Sequence, residues 1–141
     1  MLIIEPDGMT KLKGTTPKEG VHNRSKQSYG IENRLIGVRV ICGSQINCFI
    51  YISVDQTIPG GSNLFVDVYR TAIDEVSKLL KAAGKLMPSK ILLQADNCGD
   101  NKNKEIFGFA SLLVEIKEFK EILINFLIVV SHLSFILLIQ L

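Results

Sequence analysis

Residues 91–104 read I-L-L-Q-A-D-N-C-G-D-N-K-N-K, and the break inside this stretch decides how the chain folds. An apolar run from Ile91 to Ala95 stops at Asp96-Asn97, in a loop of amides, charges and one glycine, and a helical pattern follows at once. A short apolar run bounded by polar turn residues reads as a buried strand. A carboxylate at the carboxyl end of such a strand, ahead of a helix, is where α/β sheets place ligands and metals.

Upstream of this strand, Pro59-Gly60-Gly61-Ser62-Asn63 predicts a turn into a helix with Ser62 or Asn63 as N-cap. Phe65, Val68, Tyr69, Ala72, Val76, Leu79, Leu80 and Ala83 then recur at helical spacing, and Gly84 is the expected stop. Pro88 leads into the strand over 90–95. Downstream, residues 103–119 predict a second helix with Asn103 as a candidate N-cap. That helix is apolar on nearly all sides, so it is expected to be buried or at an interface. A further apolar run starts at Ile122, and its first half is expected to be another buried strand.

Toward the N-terminus, Leu2-Ile3-Ile4 predicts a short strand halted by Pro6, with Asp7-Gly8 as a turn that leaves a carboxylate just past the strand end. Residues 10–34 are polar and without period, and predict a long irregular loop. Residues 35–41 and 47–54 are rich in β-branched side chains and flank Cys42-Gly43-Ser44, which predicts a hairpin. Arg39 faces one way in it, and Val38 and Val40 the other. The order βββαβαβ predicts an α+β (or α/β) domain: a mixed sheet with two helices, in the manner of a truncated ribonuclease-H-like fold.

Length and charge bound the rest. A chain of 141 residues makes one domain, taken here as residues 1–130 with an apolar tail over 131–141. A net charge of +2 gives no global case for nucleic acid. The first third is nevertheless basic, with Lys11, Lys13, Lys18, Arg24, Lys26, Arg34 and Arg39, which suits either a solvated loop or phosphate contact. The three cysteines, Cys42, Cys48 and Cys98, are odd in number and lack C-x-x-C spacing, which speaks against a disulfide framework or structural zinc. They read as buried, reduced thiols of an intracellular protein, nuclear or cytoplasmic. Glu5, Pro6 and Asp7 interrupt the apolar start, so no signal peptide is expected. Residues 122–141 carry no formal charge over twenty positions, long enough to cross a bilayer of about 30 Å. Asn125, Ser131, His132, Ser134 and Gln140 interrupt that run, which weighs against a membrane anchor.

In a fold of this order, carboxylates on neighbouring strands converge at one sheet edge and hold divalent cations that activate water and stabilise a leaving oxygen. Hard oxygen donors favour Mg²⁺ or Mn²⁺. Asp7 and Asp96 stand at suitable strand ends. A third acid is expected after the last strand, yet no Asp or Glu follows Glu121. Each residue also has an ordinary reading: Asp7 and Asp96-Asn97 as turn residues, Asn101 as a turn former, and Lys102 and Lys104 as solvated charges. His22 and His132 have no partner at metal-ligand spacing.

The stretch from Leu92 to Ile122, with its D-N-C-G-D-N-K-N-K and G-F-A-S-L-L-V runs, resembles a family of transposon-derived proteins whose uncharacterised domain is regarded as integrase-like. Asp7-Gly8-Met9 with Lys11 is similar to that family's opening D-G-M-D-x-x-K, and Ser62-Asn63 to its S-N before the first helix. The resemblance implies that Asp7 and Asp96 are the first two acids of a catalytic metal site using Mg²⁺ or Mn²⁺. It also implies that Asn97, Asn101, Lys102 and Lys104 contact nucleic acid. After Phe126-Leu127-Ile128-Val129 the family continues G-H-T-H-E-D-I-D, whereas this chain continues V-S-H-L-S-F-I-L-L-I-Q-L. The sequence therefore predicts an integrase- or transposase-like nucleic-acid-processing domain that is truncated and catalytically inactive. The alternatives are a domesticated, non-catalytic module that binds nucleic acid or protein, and a small tail-anchored membrane protein.

Overall fold

The computed structural model describes residues 1–8, 33–54, 61–96, 103–127 and 134–140. The loop expected over 10–34 lies almost wholly outside these residues, as do Asn97, Cys98, Asn101, Lys102, His22 and His132.

The elements are β1 (Leu2–Gly8), β2 (Asn33–Cys42), β3 (Gln45–Val54), α1 (Ser62–Ala82), β4 (Lys90–Asp96), α2 (Lys104–Glu115), β5 (Glu121–Leu127) and β6 (Ser134–Gln140). They form a six-stranded sheet in the order β3-β2-β1-β4-β5-β6. The pairs β1–β2, β2–β3 and β5–β6 are antiparallel, while β1–β4 and β4–β5 are parallel. The expected βββαβαβ order is present, and β6 is an addition that no reading of the sequence anticipated. Neither described part of the apolar run over 122–141 is a helix, and among the described residues no helix is long and apolar enough to cross a membrane.

Period-two alternation sorts the sheet into two faces. Leu2, Ile4, Val38, Val40, Ile91, Leu93, Ile122, Ile124 and Phe126 are buried on one of them. The helices cover that face through Leu64, Val68, Tyr69, Ala72, Ile73 and Val76 of α1 and Ile106, Ala110, Leu113 and Val114 of α2. Phe107 of α2 meets Phe126 edge-on, with ring centroids 6.2 Å apart. The opposite face carries Glu5, Asp7, Arg39, Cys48, Ile50 and Gln94, and no helix of the described residues packs on it.

Local signals explain the boundaries. The β2–β3 hairpin turns through Gly43 and Ser44, with Gly43 at φ 61°, a conformation that glycine adopts without strain. The N-cap of α1 is Gly61, one residue before the expected Ser62, and it makes no side-chain cap. Gly84 ends α1 as expected, with the Lys85 N–H donating to Leu80 O at 2.8 Å and the Gly84 N–H to Lys81 O at 3.0 Å. In α2 the Asn103 side chain does cap, accepting from the Ile106 N–H at 3.1 Å. This helix ends at Glu115, earlier than its apolar pattern predicts, because Lys117 turns left-handed at φ 61° and the Glu118 N–H returns to Leu113 O at 3.0 Å.

Two expectations are corrected. Pro6 does not halt β1: the strand runs to Gly8, with Pro6 paired opposite Val38. The cysteines of the hairpin are not both buried, because they occupy opposite faces: Cys42 pairs with Gln45 and packs against the core, while Cys48 pairs with Arg39 and is exposed.

Candidate functional site

Pro6 sits in the middle of the sheet, where a missing N–H is hardest to accommodate. The two-residue hairpin makes Cys42 and Gln45 a hydrogen-bonded pair, and alternation from there fixes which way every strand amide points. Odd-numbered residues of β2 and β1 bond to one another, so Leu2, Ile4 and Pro6 turn their amide positions toward β4. The β1–β4 ladder runs Leu2↔Ile91, Ile3↔Leu92, Ile4↔Leu93 and stops there, so the next position of β1 that faces β4 is Pro6. The absent donor accounts for the stop.

Beyond it a concavity of ≈ 700 Å³ opens, lined by Glu5, Pro6, Asp7, Gln94 and Ala95 together with Gly37, Arg39, Cys48 and Ile50. Continuing the β1–β4 register by three residues sets Asp7 level with Asp96, and Glu5 level with Gln94. Asp7 is exposed, on the face that the helices leave uncovered. Its partner across β2 is Gly37, so no side chain stands beside it on that flank. A methyl group there would have room, with Asp7 O at 3.9 Å as its nearest neighbour. Asp96 is the last residue of β4 and pairs with Leu127 of β5.

One row down lies a set of polar residues that sequence reasoning passed over. Cys48 pairs with Arg39 and Arg39 with Glu5, while Gln94 pairs with Asn125, so polar residues stand on each strand from β3 to β5. Arg39 Nε donates to Glu5 Oε2, and this contact raises the arginine above its already high pKa. The Asn125 Nδ2 donates to Gln94 Oε1 at 3.5 Å. Asn125 is buried at 8% exposure, and its Oδ1 has no hydrogen-bond partner among the described residues. The signal was available in the spacing, since Glu5 and Gln94 each stand two residues before an acid, on the same face of their strand.

Of the residues expected to touch nucleic acid, Lys104 is described: it is exposed in the first turn of α2, with its Nζ 4.0 Å from Glu105 Oε1. Asn97, Asn101 and Lys102 lie outside the described residues. Among the described residues, no group of three or more His, Cys, Asp or Glu is placed to hold a metal ion. Two acids of the sequence, Asp7 and Asp96, stand near the carboxyl ends of the adjacent strands β1 and β4. Such a set suits one Mg²⁺-type ion, which keeps several waters and needs only one or two carboxylates. It is one acid short of the set expected for two ions.

The fold is similar to that of a solved structure, the N. crassa QDE-2 AGO MID-PIWI domains, with a TM-score of 0.52 at 13% sequence identity. The match covers 96% of this chain and 36% of that one, so the chain spans about a third of its neighbour's length. At this identity the likeness is one of fold, and it agrees with the ribonuclease-H-like arrangement predicted from the element order. No curated protein matches the sequence. A family match extends over residues 24–133, most of the chain, and on that ground the chain belongs to the family described as domain of unknown function (DUF7869).

Proposed function

We propose that this chain is a nucleic-acid-processing domain of integrase-like, transposon-derived ancestry, in which Asp7 and Asp96 hold one divalent cation and the segment 97–104 meets the phosphate backbone. The observation that supports this reading is the parallel β1–β4 pairing, Leu2↔Ile91 to Ile4↔Leu93, whose register, continued three residues, would set Asp7 level with Asp96. Mg²⁺ or Mn²⁺ fits the donor set, and when bound it polarises a phosphoryl oxygen and acidifies a coordinated water.

The chain's own residues define the remainder. The carboxylates fix the ion at the carboxyl edge of the sheet. The amides of Asn97 and Asn101 and the ammonium groups of Lys102 and Lys104 are donors of the kind that phosphodiester oxygens accept. Glu5 and Arg39 neutralise each other through their ion pair. Residues 122–141 carry no acid, and our reading is of a domain that binds without cleaving.

The test is thermal unfolding with and without Mn²⁺, alongside a nicking assay on DNA and RNA. The expected result is an Mn²⁺-induced rise in Tm that disappears in Asp7→Asn and in Asp96→Asn, with no nicking. A rise that survives both substitutions, or no rise at all, overturns the ion site. Metal-dependent nicking that is abolished by Asp96→Ala overturns the non-cleaving half. A binding module that needs no metal is the second reading, supported by the density of amides and lysines over 97–104. Salt-sensitive binding of nucleic acid that persists in both Asp variants selects it.

A further inference from the structure

β3 closes one side of the sheet and is made in a way that terminal strands usually avoid. Proteins protect such edges with lysine, proline, bulges or short strands, because a bare edge templates pairing with another chain. β3 is ten residues long, reads Q-I-N-C-F-I-Y-I-S-V with no charge and no proline, and pairs with β2 without interruption. On the uncovered face its Ile46, Ile50 and Ile52 are 64%, 76% and 68% exposed. The alternation that aims Gln45, Asn47, Phe49 and Tyr51 at β2 aims the backbone groups of Ile46, Cys48, Ile50 and Ile52 away from the sheet.

We propose that β3 is a self-association edge, and that two copies of this chain join through antiparallel β3–β3 pairing into one continuous sheet. A two-fold axis through Phe49 satisfies every constraint on the strand. It makes Ile46 opposite Ile52 and Cys48 opposite Ile50 the hydrogen-bonded pairs, with each residue's outward amide and carbonyl engaged. All the side chains in these pairs are apolar and share one face, so burial and hydrogen bonding agree on the register. The same axis brings Asn47 of one copy beside Tyr51 of the other, whose hydroxyl is buried without a partner among the described residues. Charge points to a second copy as the occupant: an uncharged strand meets no repulsion from itself, and it offers a charged partner nothing to recognise. A groove of ≈ 360 Å³ beside α1, lined by Ile46, Asn47 and Leu79, gives the incoming strand space on the helix side.

A ten-residue edge spans about 34 Å and makes a small interface, so the dimer is expected to be concentration-dependent, in the micromolar range. The experiment is sedimentation velocity on the full chain over a concentration series, with Ile50→Lys as the variant. Because Ile50 is exposed, the variant is expected to keep its far-UV circular dichroism spectrum and its Tm. Its dimer is expected to weaken about tenfold or more. Register is read separately by oxidising Ile50→Cys, which should give a covalent dimer through Cys48 of the other copy that is lost when Cys48→Ser is added. A wild-type chain that stays monomeric throughout, or a dimer indifferent to Ile50→Lys, overturns the proposal. Crosslinking that persists without Cys48 overturns the register.

Discussion

Lys117 illustrates how much a single backbone conformation can matter. It holds φ 61° so that α2 can end with the same reverse hydrogen bonds that close α1 at Gly84. An L-residue with a side chain pays about 1–2 kcal/mol in that region, whereas glycine does not. Lys117→Gly is therefore expected to raise stability by about 1 kcal/mol, and Asn103→Ala at the other end of α2 to lower it by about 1 kcal/mol. Urea unfolding of the two variants checks both signs. Tyr51 makes a second case. Burial, and then the charge of Glu75, pushes its hydroxyl above its ordinary pKa of about 10. The folded state thus favours the protonated phenol. Its contribution to stability is complete below the ordinary value and is lost as pH rises from there through the raised folded value. Unfolding curves taken across alkaline pH should show this loss, and Tyr51→Phe should remove that part of the slope.

At the scale of the element, β1 is the strand on which the site depends. The sequence led us to expect Pro6 to end it, since proline in a strand removes a ladder donor. The strand continues because the bonds to β2 come from odd-numbered residues, and Pro6 sacrifices only a bond toward β4. The loss falls beside a concavity lined from β1, β2, β3 and β4. Pro6→Ala restores the donor. The amide introduced at position 6 is expected to be protected in hydrogen exchange, and the Mn²⁺-induced rise in Tm to shrink as the strands close. An unprotected amide would refute this account of the opening. α1 and α2, by contrast, were plain from spacing, since Val68, Tyr69, Ala72 and Val76 or Ile106, Ala110 and Leu113 can share a face in a helix but not in a strand.

For the whole molecule, ion binding and folding are linked. A cation that binds only the folded chain stabilises it by about 2.7 kcal/mol at a hundred times its dissociation constant. The Mn²⁺ experiment thus reads the site through global stability, and Asp7→Asn should remove the increment while leaving the hydrophobic face untouched. The sheet itself is lopsided: one face is packed by two helices, and the other presents Asp7, the Arg39–Glu5 pair and the isoleucines of β3. The candidate site and the proposed pairing edge both belong to that uncovered side.

The sequence by itself determined the strands, the helices, their order and the two acids at strand ends, because each is written in local periodicity and turn chemistry. It also carried the resemblance that weights Asp7 and Asp96 above ordinary turn residues. Tertiary structure alone decided that β1 and β4 run side by side in parallel, that Glu5 pairs with Arg39 and Gln94 with Asn125, and that residues 134–140 pair as a sixth strand. The physical reason is that strand register is a relation between distant segments. Alternation tells which face a residue occupies within its own strand, but only pairing across the sheet tells which residue of another strand lies beside it.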